Sequence, residues 1–122
     1  MSTGAQAYAR TAQSSAPARE IEAQALLRAA TQLHEVQSNW GAMDAQRVDA
    51  ALRFNRQLWA IFLSAAQNEE NQQPLEVRQR ITNIGVFVMN QTVEMLLDPQ
   101  PAKLSSLIEI NRNIAAGLSG RA

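Results

Sequence analysis

The side chains that could do chemistry are few and scattered. His34 is the single histidine of the 122-residue chain, and cysteine is absent. One imidazole without thiols cannot assemble the familiar zinc sites. A Ser-His-Asp constellation needs only proximity in space, which the sequence leaves open, but no serine stands on a recognisable nucleophile elbow. The five glycines are dispersed and form no phosphate-cradling loop. Carboxylates occur singly or as the pair Glu69-Glu70, inside a polar run that reads as a solvated loop tip. His34 falls on the polar side of its helix beside Glu35 and reads as a plain surface residue. The chain is therefore expected not to be an enzyme and to carry no cofactor or metal.

Two amides stand out instead. Asn55 sits in the middle of an otherwise apolar helical face, with Val48, Ala51, Leu52, Leu58, Trp59, Phe62 and Leu63 around it. Asn111 holds the same place among Leu104, Leu107, Ile108, Ile114, Ala115 and Leu118. The segments echo each other: Leu52-x-Phe54-Asn55-Arg56-x-Leu58 matches Ile108-x-Ile110-Asn111-Arg112-x-Ile114, with Phe62 and Leu118 in step beyond. A buried amide left unpaired costs about 1–3 kcal/mol, so each needs a partner. The echo predicts that both are buried on facing helices as a structural polar core, bonded to each other or to nearby main chain.

The elements that position them follow from periodicity and punctuation. Ser14-Ser15-Ala16-Pro17 opens a helix that runs to about Ser38, with Glu20 and Glu22 near the positive end of its dipole and Gly41 as its stop signal. Asp44 opens the central helix, to about Gln67, which is apolar over so wide an arc that it needs cover on two sides. Asn68 to Pro74 is a loop. The next helix, about Leu75 to Leu97, carries two stripes: Val77, Ile81, Ile84, Val88 and Met95 on one side, Val86, Met89, Val93 and Leu97 nearly opposite. The first stripe is expected to face the central helix, with Gly85 admitting a neighbouring backbone. Asp98-Pro99-Gln100-Pro101 ends the helix, and a last one covers about Ala102 to Leu118. The expected fold is all-α, an antiparallel bundle of about four main helices in one domain over 1–122. Residues 1–14 form a short N-terminal helical arm, mobile or loosely docked through Tyr8.

Eleven basic and eleven acidic residues cancel, and the arginines form no stripe along any helix, which argues against direct contact with nucleic acid. No apolar run approaches the roughly 20 residues of a membrane span, and the N-terminus has no signal-like segment, so a cytoplasmic protein is expected. The surplus apolar surface has three uses: burial under the chain's own termini, self-association, or a groove for a partner helix. The second stripe, with Tyr8, is the candidate partner-binding site, and Met89 suits it because a flexible thioether adapts to a changing neighbour.

Several motifs also resemble the FlaF family of bacterial flagellin-biosynthesis regulators along nearly the whole chain. They are Ala7-Tyr8 with Pro17…Glu20-Ile21-Glu22, then Phe54-Asn55-Arg56-Gln57-Leu58-Trp59. Next come Pro74-Leu75…Arg78…Ile81…Phe87-Val88 and Leu107-Ile108-Glu109-Ile110-Asn111-Arg112-Asn113-Ile114…Gly117-Leu118. The opening is also similar in layout to FliS-type flagellin export chaperones, but Ala16 precedes Pro17 where that pattern has a capping residue, and Arg19 replaces its acid. The resemblance implies a small cytoplasmic helical protein needed for flagellin production or export, acting with flagellin and with the translational regulator FlbT. Three readings follow: a chaperone or adaptor holding a terminal helix of flagellin, a post-transcriptional regulator of flagellin messenger RNA acting with FlbT, and an obligate dimer that covers its own second stripe.

Overall fold

The computed structural model describes residues 16–120. Four helices make up most of them: α1 (Ala16–Ser38), α2 (Ala45–Gln67), α3 (Leu75–Leu97) and α4 (Ser105–Leu118), with a 3-10 turn at Pro101–Leu104 leading into α4. The fold is the expected all-α antiparallel bundle. The proposed arm, with Tyr8, and Ser14 and Ser15, expected to cap α1, lie outside the described residues.

The ends of the helices are set by local chemistry. Asp44 caps α2, its carboxylate accepting from the Arg47 backbone N–H at 2.8 Å. The far end of α2 is closed by side chains from beyond it. Asn71 Nδ2 donates to the Ala65 carbonyl at 2.8 Å, and Arg78 Nε donates to the Ala66 carbonyl at 2.9 Å. The second satisfies a carbonyl at the helix end, and the first adds to the bond that the Ala65 carbonyl already accepts from the Asn68 backbone N–H. They also make Asn71 a buried residue next to the exposed Glu69-Glu70 tip of the loop. Gly41 is not the stop of α1: it has no positive φ, and the helix ends at Ser38 in a turn where Asn39 Nδ2 bonds back to the Glu35 carbonyl. The diproline segment closes α3 as expected but winds Pro101–Leu104 as a 3-10 turn, so α4 starts later than the sequence suggests.

Side-chain bonds fix the helix directions. Gln37, at the end of α1, donates to the Pro101 carbonyl and Ser105 Oγ at the start of α4, while Ser119 beyond α4 donates to Glu20 at the start of α1. Helices α1 and α4 are therefore antiparallel. So are α2 and α3, since Arg78 near the start of α3 reaches Ala66 near the end of α2. Helix α1 packs on α4 and α2, whereas α3 leans mainly on α2 and the 3-10 turn. The core is one cluster with Leu26 and Leu33 of α1, Trp59 of α2, Val88 and Met95 of α3, and Leu104 and Leu107 at its centre, all fully buried. Each such large side chain contributes about 1.5–3 kcal/mol of transfer free energy before ordering costs.

Candidate partner-binding face

The echoing segments of α2 and α4 meet in the core. Asn111 Nδ2 donates to Asn55 Oδ1 at 2.7 Å, and the Trp59 indole N–H donates to Asn111 Oδ1 at 2.9 Å. All three side chains are fully buried. The indole can only donate. It therefore fixes the Asn111 carbonyl oxygen toward itself, the Asn111 amide toward α2, and the Asn55 oxygen toward α4. Asn55 Nδ2 is left without a partner among the described residues. Asn111 is thus the hub, and Trp59, one turn beyond Asn55, is the member the echo alone does not reveal. The arginines that follow each amide are exposed. Phe62 and Leu118 line one cleft further along, so α2 and α4 run parallel and the repeated motif is spatially in register. This core holds α2 in place, and α2 in turn carries α3.

The two stripes of α3 separate as the periodicity requires. Val88, Thr92 and Met95 are buried against the bundle, with Ile81 and Ile84 packed at its edge. The Thr92 hydroxyl donates to the Val88 carbonyl at 2.7 Å, which disposes of its polarity within the helix. Gly85 marks a close approach of a side chain rather than the expected backbone: a Cβ there would lie 2.5 Å from Leu63 Cδ2.

On the outer side Val86 is 49% exposed, Val93 51%, Leu96 53% and Leu97 77%. Leu96 was not singled out by the stripe pattern, yet helical spacing sets it beside Met89 and Val93, and it widens the strip. Phe87, also exposed, stands off to one side. Met89 is half-buried and packs against the core at the α2 side, bordering a shallow hollow lined by Ala60 and Leu63. The structure therefore brings Val86, Val93 and Leu97 onto one face with Met89 at its margin. Tyr8 lies outside the described residues.

A second apolar feature sits where α1 begins. Glu22, Phe62, Val77, Ile81, Ile114 and Leu118 line a cleft of about 100 Å³ between the four helices. Val77 and Ile81 thus only half fulfil the expectation that their stripe is sealed against α2. Burial among these groups pushes the Glu22 carboxyl up to about 7, against the opposing pull of Arg19. Its expected stabilisation by the helix dipole is outweighed, because Glu22 lies beyond the first turn of α1, where the dipole effect has faded.

His34 is exposed, with its Nε2 3.3 Å from Ser38 Oγ. No group of three or more His, Cys, Asp or Glu among the described residues is placed to hold a metal ion. No described helix is long and apolar enough to cross a membrane.

These features define a small helical bundle with an exposed apolar face on α3. The family model described as "Flagellar protein FlaF" matches residues 4–118. The chain belongs to the FlaF family, and is a flagellum-related protein. Searches of curated proteins and of solved structures gave no match.

Proposed function

We propose that the protein is a non-catalytic binding module that holds a terminal helix of flagellin on the outer face of α3, and promotes flagellin synthesis and export as a cytoplasmic chaperone or adaptor. The observation that carries this reading is the strip Val86, Val93, Leu96 and Leu97, exposed on a helix whose opposite side buries Val88, Thr92 and Met95 in the core. A flat apolar strip at helical spacing suits the apolar face of another helix. Flagellin's terminal helices are such segments, because they pack fully only in the assembled filament. Met89 at the margin can shift rotamer to fit an incoming side chain. Any influence on flagellin messenger RNA is assigned to protein contact through FlbT, since eleven basic and eleven acidic residues cancel and Arg53 on α2 is already paired with Asp49.

The test is co-purification of flagellin with the wild-type protein and with a Val93→Glu/Leu97→Glu variant. Both positions are more than half exposed, so the variant is expected to keep its helical content and to melt as wild type does while flagellin no longer binds. Retained binding by a folded variant would remove the α3 face from the mechanism. A light-scattering mass of a dimer that reverts to monomer in the same variant would assign the strip to self-association.

A further inference from the structure

We propose that the cleft at the start of α1 is a second docking site, which takes an amphipathic helix of another protein presenting a leucine-sized side chain with a lysine or arginine one turn away. The site is separate from the outer face of α3 and does not depend on flagellin being the partner there. Its volume, about 100 Å³, is somewhat below the roughly 150 Å³ that admits benzene in an engineered cavity, and suits one branched aliphatic group. All four helices contribute to its walls, yet none supplies a side chain that fills it.

The charge pattern selects the second half of the ligand. The Glu22 carboxylate has no hydrogen bond or ion pair with any described residue, although Arg19 lies close enough on the same helix to influence it. The side chains that face it from the other helices, Phe62, Val77, Ile81, Ile114 and Leu118, cannot titrate, and the one further polar wall residue, Gln73, is neutral. A purely aliphatic ligand would strip the remaining water from this carboxylate and be opposed by it. A cation delivered beside the aliphatic group reverses that effect, because a nearby opposite charge favours the ionised form. On a helix, residues three and four apart share a face, so one amphipathic segment supplies both.

Pairing with a cation expels the Glu22 proton, so affinity rises with pH until the free carboxyl is ionised, near the value of about 7. The probes are fluorescein-labelled model helices, one built of leucine and lysine and a counterpart of leucine and glutamate, followed by anisotropy in physiological salt. The leucine–lysine helix is expected to bind about tenfold more tightly at about pH 8 than at about pH 5.5. Glu22→Gln flattens that dependence. Leu118→Lys, at the last residue of α4, weakens binding at both pH values, and Val77→Lys serves the same purpose should circular dichroism show the first variant unfolded. Equal binding of the leucine–glutamate helix, a pH-independent wild type, or indifference to both lysine variants would overturn the proposal. A dimer that dissociates on Leu118→Lys, with no peptide bound, would also overturn it and give the cleft to a second copy.

Discussion

At the scale of single residues, the buried amide pair is asymmetric, and the asymmetry is measurable. Asn111→Leu removes both the acceptor of the Trp59 indole and the donor to Asn55, which strands two groups. Asn55→Leu strands only the Asn111 amide and at the same time removes the unpartnered Asn55 Nδ2. With about 1–3 kcal/mol for each stranded group, Asn111→Leu is expected to be the more destabilising of the two in urea unfolding; equal costs would contradict the hub arrangement. Glu22 gives a second residue-scale prediction. Its folded pKa lies above the ordinary 4.5, at about 7, so the folded state holds the proton more tightly than the unfolded state does between those values. Stability is therefore highest below about pH 4.5 as far as this group is concerned, falls as pH rises, and is lowest above about pH 7. Thermal melts across this range should show that decline, and Glu22→Gln should remove most of it and melt higher than wild type at neutral pH.

At the scale of elements, the packing of α3 on α2 turns on one glycine. In an isolated helix, alanine would be favoured over glycine by about 1 kcal/mol. Here the added methyl group would run into Leu63, and overpacking of this kind costs about 1–3 kcal/mol. Gly85→Ala is expected to destabilise the protein by itself and to become neutral or stabilising in a Leu63→Ala background. If it stabilises with Leu63 intact, the contact is looser than the geometry indicates. The loop before α3 carries a related prediction: Asn71→Ala removes one of the two bonds to the Ala65 carbonyl and the acceptor of the Gln73 backbone N–H, and should cost about 1 kcal/mol, whereas Gln72→Ala, an exposed neighbour, should cost almost nothing.

Helix extents were legible because proline, capping residues and intact 3.6-residue stripes mark them: Asp44, Pro74 and Pro101 each stand where an element changes. The meeting of Asn55 and Asn111 was legible from their matched places in two stripes. Less so were the parts that depend on what arrives from elsewhere in the chain. Leu63 opposite Gly85, Arg78 on the end of α2, and the incomplete seal between Val77, Ile81 and Leu118 are products of helix placement, which periodicity does not encode. Gly41 misled because the turn after α1 uses an asparagine bond instead of a left-handed residue. Leu96 is hidden from a stripe of one residue per turn, which passes from Val93 to Leu97.

At the scale of the whole molecule, support is unevenly shared. Helix α1 has neighbours in α2 and α4, and α2 lies between α1 and α3, but α3 has α2 as its main helical neighbour. Its other attachments are to the 3-10 turn, through packing, the Gln91 bond to the Lys103 carbonyl and the Lys103–Glu94 ion pair near its end. A helix held this way is a candidate for opening as its own cooperative unit while the rest stays closed. Native-state hydrogen exchange would then read α3 as a built-in gauge of occupancy. A ligand that binds only the closed α3 adds stabilisation by mass action, about 2.7 kcal/mol at a hundredfold excess over Kd, which slows exchange about a hundredfold. The slowing should reach the amides of Leu75–Leu97 and those that exchange only by global unfolding, leaving amides of α1 and α4 that exchange through openings with α3 still docked on their unliganded time course.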